Sequence, residues 1–66
     1  MNVSGVYRSE LGMIWRVMEG DDGSLKVEVL DGTSDSWIPG RIGLVGLRLA
    51  PSTTKLTARA IRSLPA

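Results

Sequence analysis

Apolar and charged residues alternate along residues 25–30, where Leu25, Val27 and Val29 bracket Lys26 and Glu28. A period of two is the signature of a half-buried strand. A second apolar-rich run, Met-Ile-Trp-Arg-Val-Met, occupies residues 13–18, and Gly20-Asp21-Asp22-Gly23 separates the two. The pair reads as a β-hairpin. A three-residue loop, Asp21-Asp22-Gly23, suits a type I turn closed by a bulge, with Gly23 supplying the left-handed conformation. That loop sets Trp15 opposite Val29, Arg16 opposite Glu28, Val17 opposite Val27 and Met18 opposite Lys26. The rival two-residue loop, Asp22-Gly23, would set Val17 against Glu28 and Trp15 against Lys26. A slip of one residue sends every side chain to the wrong face, so the three-residue loop is expected. It puts Trp15 in the core and leaves Arg16 and Glu28 to solvent.

The remaining elements are shorter. Residues 44–49 read as a strand with Val45, Leu47 and Leu49 on one side. Residues 3–8 read as an edge strand before a turn at Ser9-Glu10-Leu11-Gly12. Trp37-Ile38 makes a very short strand, stopped by Pro39-Gly40 as the central pair of a type II turn. Asp31-Gly32-Thr33-Ser34-Asp35-Ser36 is a polar loop. Near the end the pattern turns helical. Thr57 is a good N-cap, and Leu56 and Ile61 hold the positions of a hydrophobic staple. Ile61 and Leu64 share a face, and Pro65 stops the helix. Two turns are too few to stand alone, so this helix must dock. The expected fold is α+β: a small antiparallel β-sheet of four to five strands with one short C-terminal helix, residues 1–66 forming a single domain. An SH3-like small barrel is the alternative. The expected core is Trp15, Val17, Val27, Val29, Val45, Leu47, Leu49, Ile61 and Leu64, with Leu25 at its edge.

Composition removes most chemistry. The 66 residues contain neither Cys nor His, so disulfides and zinc, copper or iron–sulfur sites are not expected. The Ser-His, Cys-His and His acid–base arrangements are also missing. No run approaches the ~20 apolar residues of a membrane span, and Met1-Asn2-Val3-Ser4-Gly5 does not open a signal peptide. A cytoplasmic or virion-associated protein, not a secreted one, is expected. The net charge of +1 conceals a split. Through Asp35 the chain carries three bases against seven acids, a net −4; after it come Arg41, Arg48, Lys55, Arg59 and Arg62 with no acid, a net +5. Such a division suits an acidic partner, a phosphate backbone or a neighbouring copy of the chain. It also suits internal neutralisation, because five cations are few beside the roughly 6–10 phosphate contacts of many DNA binders.

The candidate partner-binding residues are Trp37, Arg41, Arg48, Lys55, Arg59 and Arg62. Trp and Arg are the residues most enriched at interface hot spots, and Trp37-Ile38-Pro39-Gly40-Arg41 places both beside a rigid turn. The bland reading of Trp37 is that it closes one end of a thin core. Gly20-Asp21-Asp22-Gly23 lacks the spaced ligands of a calcium loop and reads as a solvated turn. Glu19, Glu28 and Asp35 offer carboxylates without the material for a cleft. Only Lys26 and Lys55 could activate a hydroxyl, and no phosphate-binding or dinucleotide fingerprint occurs. No catalytic residue, cofactor, metal or small-molecule substrate is expected.

The segment Leu56-Thr57-Ala58-Arg59-Ala60-Ile61-Arg62-Ser63-Leu64-Pro65 resembles a stretch in uncharacterised small proteins of actinobacteria and their phages and mobile elements. In those a β-rich region precedes a Leu-Thr-led helix ending in Arg-x-Leu/Ile-Pro, which Arg62, Leu64 and Pro65 match. Further helices follow the proline in those proteins. The resemblance covers ten residues and implies a role in DNA contact. The expected function is a non-catalytic structural or assembly protein, such as a small phage or mobile-element particle subunit, with a protein partner or homo-oligomer. The alternatives are a small nucleic-acid-binding accessory protein and a phage anti-defence inhibitor.

Overall fold

A computed structural model of the chain describes residues 3–65. The strands are β1 (Gly5–Arg8), β2 (Ile14–Glu19), β3 (Leu25–Asp31), β4 (Ser36–Pro39) and β5 (Thr54–Lys55), and the helices α1 (Leu44–Leu47) and α2 (Ala58–Arg62). Among the described residues these strands form one antiparallel sheet in the order β4-β3-β2-β1-β5. The architecture is a small α+β fold. β4 and β5 are its two edges and do not pair, so the sheet is open rather than a closed SH3-like barrel.

The β2–β3 hairpin has the register that its loop chemistry dictates: Trp15 faces Val29, Arg16 faces Glu28, Val17 faces Val27 and Met18 faces Lys26. Gly23 N–H donates to the Gly20 carbonyl at 3.0 Å and has φ +83°, while Gly20 N–H donates to the Ser24 carbonyl at 2.8 Å. This is a type I turn closed by a glycine bulge. The β1–β2 connection repeats it. Gly12 N–H donates to the Ser9 carbonyl at 3.0 Å, Gly12 has φ +88°, and Ser9 N–H donates to the Met13 carbonyl at 2.9 Å. Glu10-Leu11-Gly12 therefore corresponds, position for position, to Asp21-Asp22-Gly23.

The core lies on one face of the sheet. Tyr7, Trp15, Val17 and Val27 are buried together, and Val3, Val29, Leu44 and Val45 pack against them. Trp15 is fully buried and stacks on Tyr7 at 5.8 Å between ring centroids. The Tyr7 hydroxyl donates to the Val3 carbonyl at 2.9 Å. Buried Val6 points the other way, since it pairs with Arg16 across β1–β2.

Four expectations need correction. Residues 44–49 are not a strand: Leu44–Leu47 is a helical turn, and β5 supplies the fifth strand. A short apolar run has no diagnostic period. Here Leu44 and Val45 bury against the core, Arg48 Nη1 donates to the Val45 carbonyl at 2.7 Å, and Thr53 Oγ1 donates to the Leu47 carbonyl at 3.1 Å. The Arg48 bond caps a carbonyl at the end of the short helix, and the Thr53 bond adds to the one the Leu47 carbonyl accepts from Ala50 N–H at 3.0 Å. Consequently Leu47 and Leu49 do not join the core, and Leu49 is 75% exposed. Ile61 and Leu64 are only half-buried, and Leu25 is exposed. Tyr7, which was not among the expected core residues, is buried there instead, and Val6 is buried on the opposite face.

β1 is not an edge strand, because β5 pairs along its other side and Leu56 N–H donates to the Val6 carbonyl at 2.8 Å. Finally, Pro39-Gly40 is not a type II turn. Gly40 is not among the positive-φ glycines, and its N–H continues the ladder to the Val27 carbonyl at 2.8 Å. Glycine is required there for space: a Cβ would lie 2.9 Å from Val29 Cγ2 and 3.1 Å from Val27 Cγ1.

α2 begins as the sequence predicts. Thr57 is its N-cap, and the Thr57 hydroxyl accepts from Ala60 N–H at 3.2 Å.

Trp15→Ala should cost about 3–5 kcal/mol, as deletion of a buried large aromatic does. Urea titration followed by circular dichroism will show the chain largely unfolded if Trp15 carries the core. An unchanged midpoint would contradict this placement.

Candidate protein-docking groove

An open groove of about 430 Å³ is lined by Met13, Val29, Ile38, Pro39, Gly40, Arg41, Gly43 and Leu44. Each element contributes through its own geometry. Ile38 pairs with Val29 across β3–β4, which brings it to the core face. Gly40 keeps the following chain tight against Val27 and Val29. Arg41 to Gly43 then lead into α1, which carries Leu44. Met13 enters from the turn before β2. The lining is apolar except for Arg41. Met13, Ile38 and neighbouring Ile42 are exposed at 37%, 43% and 62%.

The sheet edges offer little for strand addition. Ladder bonds alternate along antiparallel strands. Gly40 N–H bonds Val27, so Trp37 and Pro39 point their backbone groups away from β3. Pro39 has no N–H to offer there, which is where a sheet tolerates proline. β5 is only two residues long. Short and proline-bearing edges resist pairing with another chain.

The sequence-predicted residues fall in different places. Arg41 is exposed on the groove wall. Trp37 is half-buried on the other face of the sheet. The Arg16 guanidinium lies 4.2 Å from the centroid of its ring. Arg16 is held there by Glu28: Nε and Nη2 donate to Oε1 at 2.8 and 2.6 Å. Lys26 Nζ reaches the other Glu28 oxygen at 3.8 Å. Arg16 and Glu28 are thus not simply left to solvent; their side chains are 32% and 13% exposed. The Trp37 ring is engaged within the chain, and its Nε1–H is enclosed without an acceptor among the described residues, as is that of Trp15.

Arg48 is half-buried and bonded to its own helix. Lys55 is exposed opposite Tyr7 on β5, and Arg59 and Arg62 are exposed on α2. Among the described residues, ion pairs form only between Glu28 and Arg16 or Lys26. Internal neutralisation of the later cations is therefore not realised among those residues.

The acidic loops are closed upon themselves. Asp22 is held below the ordinary carboxylate value of 3.8 by its hydrogen bonds from Ser24. Asp31 is lowered likewise, first by Thr33 N–H and then by the Ser34 hydroxyl. Asp22 Oδ1 accepts Ser24 N–H at 3.0 Å, the geometry of a solvated turn. Among the described residues no group of three or more Asp and Glu side chains could hold a metal ion. No helix there is long and apolar enough to cross a membrane.

Met13, Ile38 and Leu44 were not among the sequence-predicted site residues. They come together only when the start of β2, the end of β4 and α1 meet. No protein-family model, curated protein or solved structure matches the chain.

A double-mutant cycle on Arg16→Ala and Trp37→Ala, read by urea unfolding, should give a coupling of about 0.5–1 kcal/mol. Zero coupling would show that the stacked pair does not hold β4.

The two lowered carboxyls also fix a direction with pH. A group whose folded pKa is depressed lends stability above its unfolded pKa and loses it as pH falls through the folded value. Wild-type stability should therefore drop as the pH falls below 3.8. The Asp22→Asn, Asp31→Asn double variant should lose less over the same range in thermal melts. Equal losses would contradict the assignment.

Proposed function

We propose that the chain is a non-catalytic assembly protein that associates with copies of itself through the apolar groove. The observation that carries this reading is the groove itself, open, nearly free of polar groups and flanked by exposed Met13, Ile38 and Ile42. Transfer of such surface from water is favourable at roughly 25 cal/mol per Å². The blunted sheet edges favour side-chain docking over strand addition. A chain of this size buries little of its own surface, and partners commonly supply what a small core lacks. A phage or mobile-element particle is one setting in which such a contact would repeat.

Nucleic-acid binding is the second reading. It is favoured by the exposure of Lys55, Arg59 and Arg62 without ion-pair partners among the described residues. A labelled DNA duplex separates the two: on the second reading its affinity falls steeply with salt, by a slope of about −0.9 per neutralised phosphate.

Sedimentation velocity across a wide concentration range tests self-association. The wild-type chain should exceed its 7.1 kDa monomer mass at high concentration, and Ile38→Asp should sediment as a folded monomer. A wild-type monomer at every concentration would contradict the proposal.

A further inference from the structure

Leu11 is 97% exposed, the most exposed of the large apolar side chains among the described residues. It sits at the middle of the Glu10-Leu11-Gly12 loop, where the sister loop Asp21-Asp22-Gly23 carries polar Asp22. The bend demands neither residue: Gly12 and Gly23 supply the left-handed conformation, and the central position is open to a polar side chain. A leucine there stands almost wholly in water. Its neighbour Glu10 is exposed and, among the described residues, forms no ion pair.

Met13 joins this loop to the groove. Met13 closes the loop by accepting Ser9 N–H and also lines the groove. Arg41, the one charged residue of the lining, is exposed and likewise unpaired among the described residues. Through Met13, a loop that carries an apolar knob beside a carboxylate is joined to an apolar groove with a guanidinium on its wall. A patch that carries both halves of a contact is self-complementary about a two-fold axis.

We infer that two copies of the chain form a symmetric dimer in which Leu11 of each enters the groove of the other, against Ile38 and Leu44, and Glu10 pairs with Arg41 across the interface. This rests on the self-association proposed above and names its contact. The carboxylate and guanidinium fix the register, while burial of the two leucines supplies the attraction. The acidic hairpin tip at Asp21 and Asp22 is the rival source of a carboxylate from a second copy. Leu11 favours the Glu10 loop, because Asp21 and Asp22 offer no apolar side chain between them.

Sedimentation equilibrium of the full chain tests it. Leu11→Ser removes two buried leucines per dimer and should raise the dissociation constant about a hundredfold. Leu11 is 97% exposed in the monomer, so the circular dichroism of the variant should match that of the wild type. Glu10→Arg and Arg41→Glu should each weaken association about tenfold or more, and the two together should recover most of the loss. A wild-type dimer that Leu11→Ser leaves intact while Ile38→Asp dissociates it would overturn the Leu11 contact and keep the groove. Failure of the double charge reversal to recover affinity would overturn the Glu10–Arg41 pairing. A wild-type monomer throughout would overturn the self-association reading together with the dimer.

Discussion

The burial of Trp15 is the constraint on which the rest of the molecule depends. Among the described residues only Trp15 and Val17 are fully buried large side chains. Trp15 stacks on Tyr7, and the cluster they form with Val17 and Val27 is what Leu44 and Val45 cover. The registers that the two glycine-bulge turns set place Tyr7 on one side of that indole and Val29 on the other. The indole N–H has no acceptor among the described residues, which costs free energy that apolar contact must offset. A thin core tolerates such a cost only by concentrating its packing at one place.

Concentration at Trp15 leaves the periphery under-covered. The helical turn α1 is only four residues long and reaches the core with Leu44 and Val45, while Leu47 and Leu49 remain exposed. Between α1 and β4 the covering layer is incomplete, and the groove is the gap. The opposite face is held by different means. There Glu28 fixes Arg16, which lies over Trp37 and ties edge strand β4 to β2. One face is apolar and partly open; the other is closed by a charged clamp. The open one suits a partner, because apolar surface gains from burial without losing hydration of charge.

Much of this was legible in the sequence where local chemistry decides it. The β2–β3 register follows from Gly23 and the alternation of Leu25, Val27 and Val29. The α2 N-cap follows from Thr57. What escaped was set by contacts between distant segments. Thr54 and Lys55 carry no strand signal of their own and are extended because β1 presents an unpaired edge. The run from Leu44 to Leu49 suited a strand equally well until Val45 and Leu44 met the core. Gly40 carried a turn signal, yet Val27 and Val29 are what demand a glycine there. Of the proposed contact, Arg41 was visible as a candidate, but the groove it borders joins residues from Met13 to Leu44 that no spacing rule connects.

The central claim is that the exposed leucine of one copy fills the gap in the covering layer of another. Nuclear magnetic resonance on an equal mixture of isotope-labelled and unlabelled chain addresses it directly, because isotope-filtered cross-peaks arise only between molecules. The account predicts intermolecular cross-peaks from the Leu11 methyl groups to Ile38 and Leu44, and none from Leu25. Cross-peaks that instead join Leu25 or Leu49 across copies, with none from Leu11, would contradict it.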